Sequence, residues 1–232
     1  IPDARNDPRF KNNPMVTGAP YIRFYAGYPL CHMDGYKLGT LCILDPNTRE
    51  VSETDLHLLK DLARLAEGEL AGIQLATVDA LTQISNRRGF ESIANKSLSL
   101  CIRKQLPVSL VYFDLNKFKP INDTYGHAEG DWALQQFSNQ ILHSFRDADV
   151  CARIGGDEFA VFLSDCDEQQ AQQSIQRFHQ TMDEFNHSSG KDYDILFSQG
   201  IVSEQPSDNT SIGTLLNAAD QLMYQMKRNH ST

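Results

Sequence analysis

The alternation of apolar and polar positions in the first third of the chain predicts a small antiparallel β unit followed by one long helix. Two strand-like stretches, Tyr21–Tyr28 and Leu38–Leu44, lie on either side of a polar Asp34-Gly35 turn. Ser52 then begins a stretch with an N-cap residue, an acidic first turn and apolar residues at three- and four-residue steps through about residue 76. This periodicity is compatible both with a helix packed on its own domain and with a dimeric stalk.

From Asp79 onward, helical and strand-like patterns alternate, which indicates a second domain with a sheet covered by helices. Val108–Phe113 is a nearly continuous apolar run that ends in Asp114, as expected for a central strand with a carboxylate at its edge. We therefore predict a boundary between residues 1–76 and 77–232. The other predicted elements are strands at Val150–Ile154, Phe159–Leu163 and Ile195–Ile201, and helices at Ala171–Phe185 and Ile212–Met226.

The composition narrows the range of functions. The 232 residues carry a net charge of -9, with 41% hydrophobic and 22% charged residues, which is ordinary for a folded protein. Nucleic acids and anionic membranes require an excess of Lys and Arg, so the charge argues against both partners. No apolar run approaches the roughly 18 residues of a membrane span, and the five cysteines have neither zinc-like nor disulfide-like spacing. We expect reduced thiols, no membrane contact within this chain and a cytoplasmic location.

A short acidic turn carries the residues with the clearest chemistry. Gly155-Gly156-Asp157-Glu158 joins two strand-like runs and is typical of a glycine-dependent β-hairpin turn. Arg153 precedes the turn, and Asp114 faces it across the predicted sheet. Mg²⁺ prefers oxygen ligands, takes one or two protein carboxylates and completes its shell with water and phosphates, while glycine lets the backbone approach a phosphate. The residues alone are compatible with a metal–nucleotide site and equally with a plain acidic turn.

Four motifs in this part of the chain resemble the GGDEF family, and they occur in the family's order. They are the opening motif Asp79-Ala-Leu-Thr-Gln-Ile-Ser-Asn-Arg-Arg-Gly-Phe90, the central motif from Phe113 to Asp131, the signature Arg153-Ile-Gly-Gly-Asp-Glu-Phe159, and the closing helix Ala219-Asp-Gln-Leu-Met-Tyr-Gln-Met-Lys227. The resemblance implies an α+β fold for residues 77–232, with a palm-like, mostly antiparallel central sheet flanked by helices.

The resemblance also implies an activity, that of a diguanylate cyclase, which condenses two GTP molecules into cyclic di-GMP and releases two pyrophosphates. Each protomer holds one GTP, so two protomers must face each other as a homodimer. The resemblance implies that Mg²⁺ or Mn²⁺ is bound by Asp114, Asp157 and the carbonyl of Leu115, with Glu158 as a further metal contact or as the catalytic base. It implies that guanine is recognised by Asn122 and Asp131. It also implies that the phosphates are bound by Lys119, Arg153 and Lys227, with Gly155 and Gly156 beside the substrate.

Two further segments resemble known features. Arg146-Asp147-Ala148-Asp149 is separated from Gly155 of the signature by five residues, Val150–Ile154, which is the spacing of the family's RxxD inhibitory site. The spacing implies feedback inhibition by bound cyclic di-GMP, whereas chemistry alone favours a surface ion pair. Residues 1–76 resemble the C-terminal half of a GAF sensory domain with its last helix, on the segments Ile1–Phe10, Ile22–Leu30 and Gly39–Asp45. This second resemblance implies regulation by a sensory input.

Two places depart from the family pattern: Asn116, and the segment Lys227-Arg228-Asn229-His230, which lacks the usual glycine and arginine after the closing lysine. Asn116 stands where aspartate is frequent, but that residue is not a principal metal ligand in the family, so we expect activity to survive. The competing interpretation is a catalytically silent GGDEF module that binds GTP or cyclic di-GMP and signals through protein contacts. Silent members usually have a damaged signature, whereas this chain retains the whole signature together with Asp114, Asn122 and Asp131. The intact set favours the enzyme.

Overall fold

A computed structural model of the protein describes residues 1–32 and 34–229. The chain divides into two compact units, Ile1–Gln74 and Leu75–Thr232. Residues 230–232, the end of the predicted second domain, lie outside the described part. Among the residues described, no helix is both long enough and apolar enough to cross a membrane. The elements in chain order are α1 Pro14–Thr17, β1 Phe24–Cys31, β2 Lys37–Asp45, α2 Glu53–Thr77, β3 Ser85–Asn86, α3 Arg87–Lys104, β4 Val108–Asn116, α4 Phe118–Tyr125, α5 His127–Ser144, β5 Val150–Arg153, β6 Glu158–Ser164, α6 Glu168–Ser188, β7 Leu196–Glu204 and α7 Ile212–Asn229.

The first unit contains a two-stranded hairpin followed by α2. β1 and β2 pair antiparallel, which confirms the predicted β unit. β1 begins later than predicted, at Phe24, because Tyr21 has a φ of 57°, a left-handed conformation that does not continue a strand. α2 begins at the predicted cap: the Ser52 hydroxyl accepts the N–H of Asp55 at 3.1 Å, and the Asp55 carboxylate accepts the N–H of Ser52 at 3.0 Å.

The second unit is built on a sheet in which the described residues form five strands in the order β3-β5-β6-β4-β7. β3 and β5 are parallel, and every other neighbouring pair of these strands is antiparallel. β5 and β6 form the predicted hairpin, and β4 lies between β6 and β7 as the predicted central strand. A mostly antiparallel sheet flanked by helices is the α+β fold that the family resemblance implied, so that prediction is confirmed.

β4 contributes side chains to two hydrophobic cores because successive residues of a strand point to opposite faces of the sheet. Phe113 and Leu115 pack with α5 and α6, whereas Leu110 and Tyr112 pack with α3 and α7. All four side chains are buried. Burial on both faces explains the nearly continuous apolar run in the sequence. Asp114, between Phe113 and Leu115, is only partly buried and lies near the end of this strand.

α7 lies directly against β7 at Gly200. A Cβ atom at this position would be 2.0 Å from the carbonyl oxygen of Ala219 and 2.4 Å from the backbone nitrogen of Met223. Only glycine permits two backbones to approach this closely. Lys227 follows Ala219 by about two helical turns, or roughly 12 Å. The close contact at Gly200 therefore helps to set the position of Lys227 on α7.

Candidate active site

Three acidic residues lie at the edge of the sheet where β4 and β6 stop pairing. Asp114 and Glu158 are opposite each other in the last pair of the β4–β6 ladder, and Asp157 directly precedes β6. Leu115 donates its N–H to the carbonyl oxygen of Asp157 at 3.0 Å, which holds the turn against β4. Burial raises the pKa of Asp157, and the negative charge of Asp114 raises it further. The local excess of negative charge is an environment that a bound cation would stabilise.

The oxygen donors at this edge fit a magnesium-like ion. The N–H and C=O of one strand residue point to the same neighbouring strand, so the Leu115 carbonyl faces the turn that carries Asp157. Carboxylates and a backbone carbonyl are the hard ligands that such an ion takes, together with water and substrate phosphates. In residues 1–32 and 34–229, no group of three or more His, Cys, Asp or Glu side chains is arranged to hold a metal by itself. An ion at this edge would need water and phosphate oxygens to complete its shell.

Lys227 of α7 forms a salt bridge with Asp114, whose side chain is only 13% exposed. The two residues are 113 positions apart in the sequence, and the docking of α7 on the sheet brings them together. The charge of Lys227 also lowers the pKa of Asp157, against the larger effect of burial. Lys227 therefore offsets part of the negative charge of the cluster. Its predicted contact with a phosphate stays a prediction.

The Gly155-Gly156 turn differs from the prediction in the reason for its glycines. Neither residue has a positive φ, so the turn does not depend on glycine for its backbone angles. A Cβ atom at Gly155 would be 2.2 Å from Oε2 of Glu158, which means that the Glu158 carboxylate folds back over the turn. A Cβ atom at Gly156 would meet no atom within 4 Å, so the backbone there is open to a ligand.

Arg153 ties the acidic turn to the start of the second unit. Its Nε and Nη2 donate to the carbonyl oxygen of Gly156 at 3.0 and 2.7 Å, and its Nη1 donates to the Asp79 carboxylate at 3.1 Å. Asp79 also accepts the N–H and the hydroxyl of Thr82 at 2.9 and 2.7 Å. Burial opposes the ionisation of Asp79, but these hydrogen bonds outweigh it and lower the pKa. Arg153 is thus a brace of the turn, and its predicted role toward a phosphate stays a prediction.

Asn122 and Asp131, the residues expected to recognise guanine, lie on the consecutive helices α4 and α5. The helices meet at Gly126, whose φ of 90° permits the sharp change of direction. The side-chain amide of Asn122 lies against α5, because a Cβ atom at Gly130 would be 2.0 Å from its Oδ1. Asp131 is the next residue and is exposed, as is Lys119 on α4. The fold therefore brings the Asn122 amide beside the residue that precedes Asp131.

The predicted inhibitory segment lines a separate cavity of about 450 Å³. The Asp149 carboxylate accepts the backbone N–H of Arg146 at 3.0 Å, while the Arg146 side chain is exposed. Burial raises the pKa of Asp149, and the hydrogen bond from Arg146 opposes that shift. Ile93 and Leu142 add apolar surface to the wall. A cavity with an exposed guanidinium, a carboxylate and apolar walls suits a flat, polar ring system.

Tyr112 is a residue of this site that the sequence reasoning missed. It lies diagonally opposite Glu158 on the β4–β6 ladder, on the same face of the sheet. Burial, together with the negative charges of Glu158 and Asp220 and the interaction of the hydroxyl with Glu158, raises its pKa. The available signal was a phenol in an otherwise apolar strand, two positions before Asp114, because a buried tyrosine hydroxyl usually has a polar partner.

The comparisons with known proteins place the chain in a family. Residues 76–232 match the family described as "Diguanylate cyclase, GGDEF domain", and residues 1–70 match the GAF domain family. The probable diguanylate cyclase DgcE of Escherichia coli K12 is 29% identical over 212 residues, which are 91% of this chain and 18% of that protein. The diguanylate cyclase DosC of the same strain is 30% identical over 151 residues, 65% of this chain and 33% of that protein. The chain thus spans a third or less of the length of these two relatives.

Solved structures agree with the fold. The coiled coil and GGDEF domain of DgcB from Caulobacter crescentus, in complex with c-di-GMP, has a TM-score of 0.66 at 23% identity and covers 77% of this chain and 96% of that one. The GGDEF domain of PA1120 (TpbB or YfiN) from Pseudomonas aeruginosa has a TM-score of 0.59 at 31% identity and covers 66% of this chain and 89% of that one. With a family match that extends over residues 76–232 and the acidic turn at the expected strand edge, this chain belongs to the GGDEF family of diguanylate cyclase domains.

Proposed function

We propose that this chain is a diguanylate cyclase that condenses two GTP molecules into cyclic di-GMP. The observation that carries the proposal is the placement of Asp114, Asp157 and Glu158 at one strand edge, with Lys227 in a salt bridge with Asp114. In the reaction, the 3′-hydroxyl of one GTP attacks the α-phosphorus of the other, and pyrophosphate leaves. Two condensations close the ring and release two pyrophosphates.

Asp114, Asp157 and the carbonyl of Leu115 would hold Mg²⁺ or Mn²⁺. When bound, such an ion stabilises negative charge on phosphate oxygens and on the attacking and leaving oxygens. Glu158 would act as a further metal contact or as the base that accepts the proton of the attacking hydroxyl. Burial, and after it the charge of Asp114, raises the pKa of Asp157, so ionising this carboxyl group has a cost that a bound cation would offset, which supports this assignment.

Substrate recognition would divide between two groups of residues. The Asn122 amide would meet the acceptor edge of guanine, and the Asp131 carboxylate would accept from its N–H donors. Adenine presents the opposite pattern at that edge, so the pair would select GTP over ATP. The phosphates would be bound by Lys119, Arg153 and Lys227 through charge-assisted hydrogen bonds of about 1.5–3 kcal/mol each. The open backbone at Gly156 would lie beside the phosphates, and Gly155 would complete the turn.

Because one such site holds one GTP, the active species would be a homodimer with two sites face to face. The GAF-like residues 1–76, including their helix, would form the regulatory part of a cytoplasmic signalling protein, and residues 77–232 the cyclase domain. Two solved relatives are complexes, DgcB with c-di-GMP and SiaD with its activator SiaC, and they support a bound nucleotide and a protein partner here. The proposed dependence on a second protomer predicts that specific activity rises with protein concentration.

Product inhibition is part of the proposal. Arg146 would place its guanidinium on a phosphate or guanine edge of cyclic di-GMP, and Asp149 would accept from guanine in the cavity that they line. We expect Arg146→Ala to weaken the binding of cyclic di-GMP, measured by calorimetry, at least about tenfold, the equivalent of one charge-assisted hydrogen bond. Equal product affinity in the two proteins would remove the inhibitory site from the account.

The activity itself is tested by incubating the purified chain with Mg²⁺ and GTP and separating the products by chromatography. We expect cyclic di-GMP from the unmodified chain and none from Asp157→Ala. The matched control is Asp208→Ala, which removes an exposed carboxylate outside the site and should leave the yield unchanged. Binding of GTP or cyclic di-GMP without any product would instead support the silent signalling module.

A further inference from the structure

The two helices that carry the proposed guanine-binding residues begin without side-chain caps. α4 begins after Lys117 and α5 begins after Gly126, and neither residue provides a side-chain hydrogen bond to the first turn. A helix N-terminus has unpaired backbone N–H groups that a capping side chain normally satisfies. Contacts from outside α4 and α5 can therefore contribute to holding Asn122 and Asp131 in place.

The loop of residues 189–195, between α6 and β7, makes such contacts with the first turn of α5. The Glu129 carboxylate accepts two hydrogen bonds from Nζ of Lys191, at 2.9 and 2.7 Å, and one from the hydroxyl of Tyr193 at 2.9 Å. The hydrogen bonds from Lys191 and Tyr193 lower the pKa of Glu129. A carboxylate in the first turn of a helix is also stabilised by the helix dipole. Glu129 is two positions before Asp131.

The same loop contacts α4 and is itself held at its base. The ring of Tyr193 lies 4.8 Å from that of Tyr125, the last residue of α4. Lys191 Nζ lies 4.3 Å from the ring centre of Trp132, which directly follows Asp131. At the base of the loop, the Asn186 side chain bonds both the N–H and the C=O of the last loop residue, at 2.9 and 3.2 Å. This loop therefore contacts both α4, which carries Asn122, and α5, which carries Asp131.

We propose that Lys191 and Tyr193, through Glu129, are positioning residues that hold Asp131 where it can read the donor edge of guanine. The inference rests on the proposed function, because it presupposes that Asn122 and Asp131 bind the base. We call the contacts of Lys191 and Tyr193 with Glu129 the latch. Residues 189–195 lie outside the four motifs, so the motifs do not describe the latch. Its loss would weaken recognition of guanine rather than the chemistry at Asp114 and Glu158.

The test compares two nucleotides that differ at the edge read by Asp131. Inosine lacks the exocyclic amine of guanine, so a carboxylate that accepts from that amine favours GTP over ITP. We would measure by calorimetry the binding of 3′-deoxy-GTP and 3′-deoxy-ITP, which lack the attacking hydroxyl and cannot be condensed. In Lys191→Met and Tyr193→Phe, we expect the affinity for 3′-deoxy-GTP to fall about fivefold and that for 3′-deoxy-ITP by no more than about twofold. The preference for guanine therefore shrinks.

Two controls separate positioning from general damage. Lys191→Arg retains the charge and should retain the preference, whereas Lys96→Met changes an exposed lysine of α3 and should alter neither affinity. An unchanged guanine preference in both latch variants, with the unmodified chain still preferring guanine, would overturn the latch and leave the proposed function standing. A chain that does not prefer guanine at all would overturn both proposals. An equal loss of affinity for both nucleotides would mean a merely structural role and would also overturn the latch.

Discussion

Gly130→Ala tests the proposed guanine site with the smallest possible change. The added Cβ atom would be 2.0 Å from Oδ1 of Asn122, whereas ordinary contact begins at 3.4 Å. Since the clashing atom is the end of a side chain, the amide can retreat by about 1.4 Å. Hydrogen bonds tolerate a range of only about 0.5 Å in length. The shift therefore removes the contact of Asn122 with guanine, and at about 1.4 kcal/mol the affinity for GTP falls about tenfold.

The fold should tolerate this substitution. Alanine is better than glycine in a helix interior by about 0.5–1 kcal/mol, which offsets the cost of moving the amide. We expect the midpoint of thermal unfolding to stay within about 3 °C of that of the unmodified chain. The assay is calorimetric binding of 3′-deoxy-GTP, with Gly213→Ala in α7 as the control, because a Cβ atom there has its nearest neighbour at 3.9 Å. Unchanged GTP affinity in Gly130→Ala, or a large loss of stability, would refute the reasoning.

Three other substitutions probe separate parts of the structure. Gly200→Ala places a Cβ atom against the backbone of α7, which cannot move away as a side chain can. We therefore expect the free energy of unfolding to fall by about 1–3 kcal/mol and the midpoint of thermal unfolding to fall by about 3 °C or more. Tyr112→Phe removes only the hydroxyl that meets Glu158, so kcat should fall several-fold with KM for GTP unchanged; a change in KM alone would contradict this role. Asp79→Asn removes a carboxylate whose pKa is lower in the folded than in the unfolded chain. The ionised carboxylate therefore stabilises the fold above its unfolded pKa of about 3.9, and this stabilisation is lost as the pH falls through its folded pKa. The variant should therefore unfold at a lower temperature at about pH 7, and the difference should shrink below about pH 4; a constant difference at every pH would argue against the charge.

The elements that could be predicted from the sequence are those with a strong local pattern. The two-sided burial of β4 leaves a continuous apolar run, and the stripe of α6 recurs at three- and four-residue steps. β3 could not be predicted, since its two residues, Ser85 and Asn86, form a strand only by pairing with β5. α4 and α5 were also difficult, because their apolar positions alternate with the polar residues of the central motif and the break between them depends on one glycine.

The candidate site could be predicted as a set of residues but not as a set of contacts. Arg153 meets Asp79 across 74 positions, and Lys191 meets Glu129 across 62; both contacts depend on how loops and helices dock, which local periodicity does not encode. Asn116, a departure from the family pattern, accepts a hydrogen bond from the Ser198 hydroxyl at 2.8 Å. A neutral amide at this position is thus held by the neighbouring strand, an arrangement that no motif indicated.

Condensation of two GTP molecules between two protomers is best tested by measuring both products over a range of protein concentrations. We expect one cyclic di-GMP for every two pyrophosphates, and a rate per protomer that rises with concentration until all protomers are paired. Asp157→Ala should give neither product at any concentration. Pyrophosphate without cyclic di-GMP, or GTP binding with no turnover at any concentration of the unmodified chain, would contradict the account.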